Sequence, residues 1–276
     1  MPFLAINGLT INIADESASV NREPFGEDES RAFSGRLQPN RRGLIRRFDL
    51  EVPLENYQDQ IPLAGLISGE GHHWSFDANL YSSKGLGPNS GYTVTMSATG
   101  GKVGGHVQVT SGQTLTYNYA TSSDFTMLVW KENGGAYLQY AYVNDASAGS
   151  VIQYKSGAPH TPAGTDNITN WYSFSSGVHT LMGKDIAGTN GNAKYDELLI
   201  VPYAMTATMV ASFYALVNGG TAFSDLPKLN LTGDIIPETT LEVVGTLPTQ
   251  RLRSAGVTGN VGSTLTFELV EFLGSY

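Results

Sequence analysis

The stretch HVQVTSGQTLTYNYATSSDFTMLVWKENGGAYLQYAYV, residues 106–143, alternates apolar and polar residues in short segments. Gly, Ser and Asn separate these segments, and they favour turns because Gly and Asn accept positive φ and Ser bonds to nearby backbone. A period of two residues is typical of strands that bury one face. The stretch therefore predicts four strands, at His106–Thr110, Thr114–Tyr119, Phe125–Lys131 and Ala136–Val143.

The same alternation continues on both sides of this stretch, between residues 72 and 203. Further strands are predicted at Tyr92–Ala98, Ser150–Lys155 and Glu197–Pro202. Many short strands with turns between them are typical of an antiparallel β-sandwich. A helix is predicted over Thr206–Asn218, where the first Thr can cap the N-terminus and apolar residues recur with helical spacing.

The two ends of the chain also predict strands. Phe3–Ile13 contains Asn7-Gly8 between apolar alternations, and Asn-Gly is a strong hairpin signal because both turn residues need positive φ. Gly43–Val52 and Ser263–Leu273 alternate as strands. We expect them to pair in one β-domain.

Two N-terminal stretches lack a clear strand pattern. Residues 15–42 are polar and charged, and a connection of this length is often functional. We interpret this stretch as an arm or ordered loop that a partner subunit holds. Pro53–Ser68 carries a helical stripe of apolar residues, which Pro62 breaks or kinks.

Residue types are unevenly distributed along the chain. All five His, all three Trp and six of the seven Lys lie between residues 71 and 217, whereas all nine Arg lie outside that range. One fold does not usually separate its basic and aromatic residues so sharply. We therefore predict an all-β protein, with one or two short helices, made of two modules. Residues 1–70 plus 218–276 form a split β-sandwich or barrel, and 71–217 form an antiparallel sandwich inserted in one of its loops.

Bulk composition excludes several classes of protein. The net charge of -9 argues against general nucleic-acid binding, which needs a basic surface. Cys is absent, so neither disulfides nor thiolate metal sites are expected. The N-terminus lacks the features of a signal peptide, and no stretch approaches the ~20 apolar residues that span a bilayer. These features predict a protein made in a reducing cytosol, without membrane insertion.

No motif indicates an enzyme. Gly-x-Ser-x-Gly and the P-loop are both missing from the sequence. Asp196-Glu197 is the only close pair of acids in the inserted module, and adjacent strand residues point to opposite faces, which does not suit paired catalytic carboxylates. The same geometry separates His72 from His73, so we expect a turn His beside Trp74 rather than a metal site. No catalysis, cofactor or metal is expected.

Aromatic residues of the inserted module are candidate ligand contacts. Tyr137, Tyr140, Tyr142, Trp171 and Tyr172 could stack on sugar rings, since aromatic faces offer rigid contact area and a polar edge for hydroxyl groups. These residue types also fill sandwich cores, so core packing stays open for each of them. By parity, Tyr140 and Tyr142 share a strand face and Tyr137 lies on the other.

Four arginines form a basic cluster, Arg41, Arg42, Arg46 and Arg47. Acids surround the cluster in sequence, so ion pairing within or between subunits is a better interpretation than nucleic-acid binding. We take these four residues as candidate subunit-interface residues.

Several segments of the inserted module resemble the concanavalin A-like, laminin G-type jelly-roll family. They are WSFDANLYSSKGLGPNSGYTV (74–94), GGKVGGHVQV (100–109), FTMLVWKENGG (125–135) and YDELLIVPYAMTATMVASFYALVNG (195–219). The last resembles the family's closing strand followed by a short helix. The resemblance implies two antiparallel sheets, with glycans or protein partners bound at a concave face or at rim loops. The acids that bind calcium in some members are not evident in this chain.

The flanking segments resemble a different family, the distal tail and tail-tube-related β-domains of tailed bacteriophages. The similar segments are AINGLTINIADESASVNRE (5–23), RAFSGRLQPNRRGLIRRFDLEVPL (31–54), LTGDIIPETTLEVVGTLPTQ (231–250) and TLTFELVEF (264–272). A carbohydrate-binding-like domain is often inserted in these tail proteins. The resemblance implies a hexameric or trimeric ring in which arms and sheet edges cross between subunits.

These observations together predict a structural virion protein of a tailed phage, in the tail tip or baseplate ring. The expected partners are further copies of the chain, other tail proteins and host surface glycans, and the expected location is the virion. Two alternatives stay open: a free carbohydrate-binding module with an accessory domain, and a capsid decoration or fibre protein. A glycan-degrading enzyme would need a pair of carboxylates in a cleft, one with a raised pKa.

Overall fold

The computed structural model describes residues 3–6, 9–12, 18–25, 28–31, 37–40, 43–54, 71–121, 123–162, 166–220, 228–233, 241–245, 249–252 and 263–271. The chain forms two compact units. Unit 1 comprises Met1–Ser68 and Pro227–Tyr276, and unit 2 comprises Gly69–Leu226. Unit 2 is thus an insertion in the sequence of unit 1. The first boundary lies close to the one expected from the sequence, and the second lies at residue 226 rather than 217.

Unit 1 draws its strands from both ends of the chain. They are β1 (Phe3–Ile6), β2 (Leu9–Asn12), β3 (Ala18–Phe25), β4 (Asp28–Arg31), β5 (Leu37–Asn40), β6 (Gly43–Leu54), β18 (Lys228–Gly233), β19 (Leu241–Gly245), β20 (Thr249–Leu252) and β21 (Ser263–Glu271). Eight of them form one sheet in the order β2-β1-β18-β19-β21-β6-β3, with β20 also paired to β21, while β4 and β5 form a separate hairpin. Within the described residues the sheet is open, and β2 and β3 are its terminal strands.

Two predictions for unit 1 are confirmed. β1 and β2 pair with Ile6 opposite Leu9, as expected for a hairpin at Asn-Gly. β21 pairs antiparallel with β6, and Phe48, Leu50 and Leu269 from these two strands are buried. The alternation of apolar and polar residues in both segments therefore arises because one face of each strand is buried.

The described part of residues 15–42 forms strands rather than a loop, and the prediction of an arm held by a partner subunit stays a prediction. β3 pairs with β6 along its whole length, and β4 pairs with β5. Ser19, Asn21 and Arg22 of β3 are exposed. A terminal strand does not need apolar alternation, because polar side chains are tolerated at the edge of a sheet. The proposed helix over Pro53–Ser68 lies outside the described residues, apart from its first two residues, which belong to β6.

Unit 2 is built from eleven strands and one helix in its described part. The strands are β7 (His72–Trp74), β8 (Val94–Ser97), β9 (His106–Val109), β10 (Thr114–Asn118), β11 (Phe125–Asn133), β12 (Ala136–Asp145), β13 (Ser150–Lys155), β14 (Ala158–His160), β15 (Tyr172–Ser175), β16 (Val178–Met182) and β17 (Ala193–Val201). The helix is α1, Ala207–Asn218, and a 3₁₀ turn spans Ile168–Asn170. All strands predicted between residues 92 and 202 are confirmed, with ends shifted by a few residues.

The strands of unit 2 form a sandwich of two antiparallel sheets. The larger sheet has the order β14-β13-β12-β11-β17-β9-β8, with β7 paired to β17, and the smaller sheet has the order β10-β16-β15. Aromatic rings of the two sheets pack against each other. The ring centroids of Phe125 and Phe174 are 4.2 Å apart, and those of Trp74 and Tyr117 are 4.6 Å apart. The apolar core lies between them. The all-β class is thereby established.

α1 packs on the outer face of the larger sheet. Tyr214 of the helix stacks on Trp130 of β11 at a centroid distance of 5.6 Å. Thr206 caps the helix, since its side chain accepts a hydrogen bond from the N–H of Met209 at 3.2 Å, as the sequence predicts. No helix in the described ranges combines the length and apolarity needed to cross a bilayer.

Candidate ligand-binding face

The five aromatic residues predicted as ligand contacts do not form one surface. Tyr140, Trp171 and Tyr172 are 0%, 0% and 1% exposed and belong to the core between the two sheets. Tyr140 meets Trp171 edge-on at 5.3 Å. A buried ring offers no face to a sugar, so the prediction of ligand contact is wrong for these three residues. They pack in the core instead.

Tyr137 and Tyr142 are half-buried and lie on opposite faces of the larger sheet. The ring of Tyr142 faces the sandwich interior, 5.6 Å from that of Tyr172. The ring of Tyr137 lies on the outer face, 6.5 Å from that of His106. One ligand cannot contact two rings across a sheet, so each residue stays a separate prediction.

The arginine cluster is described only in part, since Arg41 and Arg42 lie outside the described residues. Arg47 Nη1 lies 2.5 Å from Glu268 Oε1 of the same chain, and Arg46 is half-buried on the same strand. The Arg47–Glu268 ion pair joins β6 to β21 inside unit 1. The interface role of the four arginines stays a prediction.

A β-bulge in β17 places Asp196 and Glu197 on the same face of the larger sheet. The register with β11 shifts at this point, so two residues of β17 lie opposite one of β11. Glu197 has a left-handed φ of 48°. Tyr195 and Leu198, which flank the pair, both belong to the core. The prediction that the two carboxylates point to opposite faces is therefore wrong.

Both carboxylates are fully buried and hydrogen-bonded. Asp196 accepts from the backbone N–H of Val103 at 2.9 Å and from that of Glu197 at 2.8 Å. Glu197 Oε2 lies 2.9 Å from Nε2 of His73. Burial raises the pKa of the Asp196 carboxyl to about 7. The pair is closed to a substrate here, and it fixes the bulge and the loop above it.

The two adjacent histidines lie on opposite faces of β7, as predicted. His72 faces the interior, where its ring lies 5.7 Å from that of Trp74. His73 faces outward and reaches Glu197. The described residues contain no cluster of three His, Asp or Glu side chains suited to a metal ion.

A glycine-rich loop, residues 99–105, covers Asp196. A Cβ on Gly101 would lie 1.7 Å from the carbonyl oxygen of Gly105 and 2.6 Å from Asp196 Oδ2. On the other side of the loop, Asp77 accepts a hydrogen bond of 2.5 Å from the N–H of Gly105. The close approach of the loop to two carboxylates explains why its sequence is rich in Gly.

The smaller sheet presents an open face whose side chains are mostly Thr, Ser and Asn. We call it the hydroxyl face. Its members are Thr114, Thr116 and Asn118 of β10, Val178, Thr180 and Met182 of β16, and Ser173 and Ser175 of β15. The residues between them, including Leu115, Tyr117, Tyr172 and Leu181, are buried in the core. β10 and β15 thus turn their polar side chains to solvent, whereas β16 turns Val178, Thr180 and Met182 outward and buries His179 and Leu181.

Strand register aligns the hydroxyl groups in a row. Thr116 lies opposite Thr180, and Thr180 lies opposite Ser173. The hydroxyl oxygens of Thr116 and Thr180 are 3.3 Å apart. Neighbouring strands are about 4.8 Å apart, so the row of three hydroxyl groups is about 10 Å long.

Buried polar contacts support the sheet from below. Tyr172 and His179, neighbours on β15 and β16, are joined by a 2.8 Å contact from the Tyr hydroxyl to Nδ1 of the imidazole. Burial lowers the pKa of His179 to about 4, which favours the neutral ring at neutral pH. The face therefore rests on a fixed, uncharged layer.

Two exposed tyrosines, Tyr81 and Tyr92, lie on the segment of residues 81–92, in which Asn89 lies beside the β10 edge of this face. Asn89 joins the segment to β10, because its N–H donates to the carbonyl oxygen of Thr116 at 2.8 Å and its side chain donates to Asn118 Oδ1 at 2.9 Å. Tyr81 and Tyr92 are 59% and 42% exposed. These are the largest exposures of aromatic residues among the described residues, so both are candidate ligand contacts.

Sequence reasoning missed this face because it searched for clusters of aromatic residues. The signal was present in the strands TLTYN, YSFS and VHTLM, whose outward positions are mostly Ser, Thr and Asn. Thr is common in strands for its β-propensity alone. Only the pairing of β10, β16 and β15 shows that these positions share one surface.

Comparison with known proteins gives structural similarities only. No protein-family profile and no curated protein matches the sequence. Domain 4 of AbnA, an extracellular arabinanase of Geobacillus stearothermophilus solved with arabinotriose, is similar at a TM-score of 0.39 and 16% identity, over 52% of this chain and 99% of that one. Two structures of the botulinum neurotoxin type G binding domain give TM-scores of 0.38 and 0.36 at 13% and 12% identity. They cover 52% and 68% of this chain, and 50% and 70% of theirs.

Proposed function

We propose that this chain is a structural protein of a tailed-phage virion, in which unit 1 assembles with tail proteins and unit 2 binds carbohydrate. The observation that carries the binding function is the hydroxyl face with its neighbouring exposed tyrosines. The insertion of unit 2 in the sequence of unit 1 supports a protein that displays one module on another. The resemblance of the flanking segments to tail β-domains supports the virion context.

The hydroxyl face suits the chemistry of a sugar. Thr116, Thr180 and Ser173 each offer a hydroxyl that both donates and accepts, which matches the hydroxyl groups of a pyranose. Tyr92 can lie flat on the apolar face of a ring and bond through its own hydroxyl. A row about 10 Å long runs across three strands, so we expect binding of an extended chain with modest affinity per site.

Unit 1 offers a route to assembly through its sheet edges. β2 and β3 end the sheet within the described residues, and terminal strands carry backbone groups that can pair with a strand of another subunit. A ring of subunits would place several hydroxyl faces on one particle. Multivalency then converts weak contacts into useful avidity.

Affinity electrophoresis of the full chain in gels containing polysaccharide tests the binding function. Thr180→Val keeps side-chain shape and removes one hydroxyl, so we expect about fivefold weaker retardation. Tyr92→Ala should weaken retardation at least as much. Thr208→Val makes the same change on the exposed surface of α1 and serves as the matched control. Equal retardation of all four proteins would move the site elsewhere.

Negative-stain electron microscopy with a measurement of mass in solution tests the assembly function. Closed rings with projecting knobs are the expected particles. A monomer that binds polysaccharide through the hydroxyl face would instead favour the second candidate, a free carbohydrate-binding protein. Addition of neighbouring tail proteins then decides whether a template is required.

A further inference from the structure

We infer that the hydroxyl face takes uncharged sugar chains and discriminates against acidic ones. This rests on the proposed carbohydrate-binding function and specifies its ligand class. The inference follows from three properties: the side chains of the face, their preorganisation and the charge of the surrounding unit.

The face carries no group that would pair with an anion. None of its eight outward side chains is ionisable. Acidic polysaccharides carry carboxylate, sulfate or phosphate groups, which proteins hold mainly with Arg and Lys. An acidic chain on this face would lose water from its anions without gaining a cation.

The polar groups of the face are neutral and partly fixed by one another. Thr116 and Thr180 are joined through their hydroxyl groups. Asn89 donates from its amide to Asn118 Oδ1, which leaves one N–H of Asn89 and the amide N–H groups of Asn118 for further hydrogen bonds. Such amide and hydroxyl groups match neutral sugar hydroxyls and lose little rotamer freedom on binding.

The net negative charge of unit 2 also disfavours the binding of acidic polysaccharides. Residues 69–226 contain ten Asp and Glu against six Lys and no Arg. An excess of negative charge lowers the local concentration of polyanions.

Most of the lysines in unit 2 are engaged elsewhere. Lys131 is buried, Lys155 pairs with Asp166, Lys194 pairs with Glu132, and Lys102 donates to Asn218. These four amines are engaged away from the face; Lys84, which is exposed, lies on the same segment as Tyr81 and Tyr92 rather than on the face itself.

The test compares retention of the full chain by neutral and acidic polysaccharides, with dextran, galactan and mannan against hyaluronate and polygalacturonate. We expect retention by at least one neutral polymer and none by the acidic ones. Retention by the neutral polymer should change little between about 0.05 and 0.5 M NaCl, since screening affects charged contacts only.

Ser173→Lys places a cation on the face. It should weaken retention by the neutral polymer about fivefold and create salt-sensitive retention by an acidic polymer. Thr208→Lys adds the same charge on α1 and should change neither the retention by neutral polymers nor that by acidic ones.

The possible outcomes separate this inference from the proposed function. Stronger retention by acidic polymers that Thr180→Val abolishes would overturn the ligand class and leave the carbohydrate-binding face standing. Retention by neither class would remove the binding function and the inference together. Neutral retention that Ser173→Lys does not weaken would place the site off the hydroxyl face.

Discussion

Asp196 and Glu197 are neighbours in the chain, yet their side chains leave the same face of the larger sheet. The bulge in β17 supplies the extra residue that makes this possible. Two buried carboxylates on one face are costly unless each is hydrogen-bonded or protonated. The Gly-rich loop and His73 provide the hydrogen bonds, so the loop, the bulge and β7 depend on one another.

Asp196 should make the stability of the protein depend on pH. Its pKa is raised from 3.8 to about 7, chiefly by burial. A carboxyl whose folded pKa lies above its unfolded value contributes stability that is complete below the unfolded pKa and is lost as pH rises through the folded one. The melting temperature should therefore fall between about pH 4 and pH 7 and level off above that range. The Asn side chain of Asp196→Asn cannot ionise, so the melting temperature of this variant should decrease less over the same pH range. Equal pH dependence of the melting temperature in the two proteins would contradict this prediction.

Gln139 should be replaceable at a gain in stability. It is 0% exposed, and neither atom of its amide has a hydrogen-bond partner among the described residues. Gln139→Met removes an unsatisfied polar group at nearly constant volume and should raise the free energy of unfolding by about 1 kcal/mol.

Gln153 provides the matched control for that substitution. It is also buried, but its amide donates to Asn167 at 2.8 Å and accepts from the N–H of Ile168 at 2.9 Å. Gln153→Met should lower the free energy of unfolding by about 2 kcal/mol. Chemical denaturation measures the free energy of unfolding of both variants. A loss of similar size in both variants would mean that the amide of Gln139 is hydrogen-bonded in solution.

Gly101 should not accept a methyl group. The Cβ of Gly101→Ala would overlap the carbonyl oxygen of Gly105, so the loop must shift away from Asp196. We expect a loss of about 2 kcal/mol in the free energy of unfolding. At Gly191 the nearest atom would lie 4.0 Å away, so Gly191→Ala should change stability by less than about 0.5 kcal/mol. Equal effects at the two sites would argue against the tight loop.

The Arg47–Glu268 ion pair should couple the N-terminal and C-terminal parts of unit 1 weakly. The side chains are 40% and 28% exposed, so solvent screens the attraction. A double-mutant cycle with Arg47→Ala and Glu268→Ala should give a coupling free energy of about 0.5 kcal/mol. It should not change with protein concentration, because both residues belong to one chain. A coupling that grows with concentration would instead indicate a contact between subunits.

The sequence predicted the strands better than it predicted the site. Alternation located β10 to β13 because a buried core imposes a period of two on each of these strands. The edge strand β3 escaped notice because its exposed Ser19, Asn21 and Arg22 need no such period.

Parity rules failed where the backbone departs from a regular strand. They place adjacent residues on opposite faces, which holds for His72 and His73. They fail for Asp196 and Glu197, because a bulge leaves no clear mark in the letters YDELL. Parity also cannot tell the core from the surface, so Tyr140 and Tyr172 looked as suitable for a ligand as any exposed ring.

Because β6 pairs with β21, the sheet of unit 1 can be completed only at the end of synthesis. The ribosome finishes β6 well before it begins β21, and at about 5 to 20 residues per second the interval is on the order of ten seconds or more. All strands of unit 2 are made within that interval. The inserted sandwich can therefore fold on the nascent chain while β6 still lacks this neighbour. A chain that terminates after residue 226 would carry all the strands of unit 2 and an open strand edge of β6, which can pair with foreign strands.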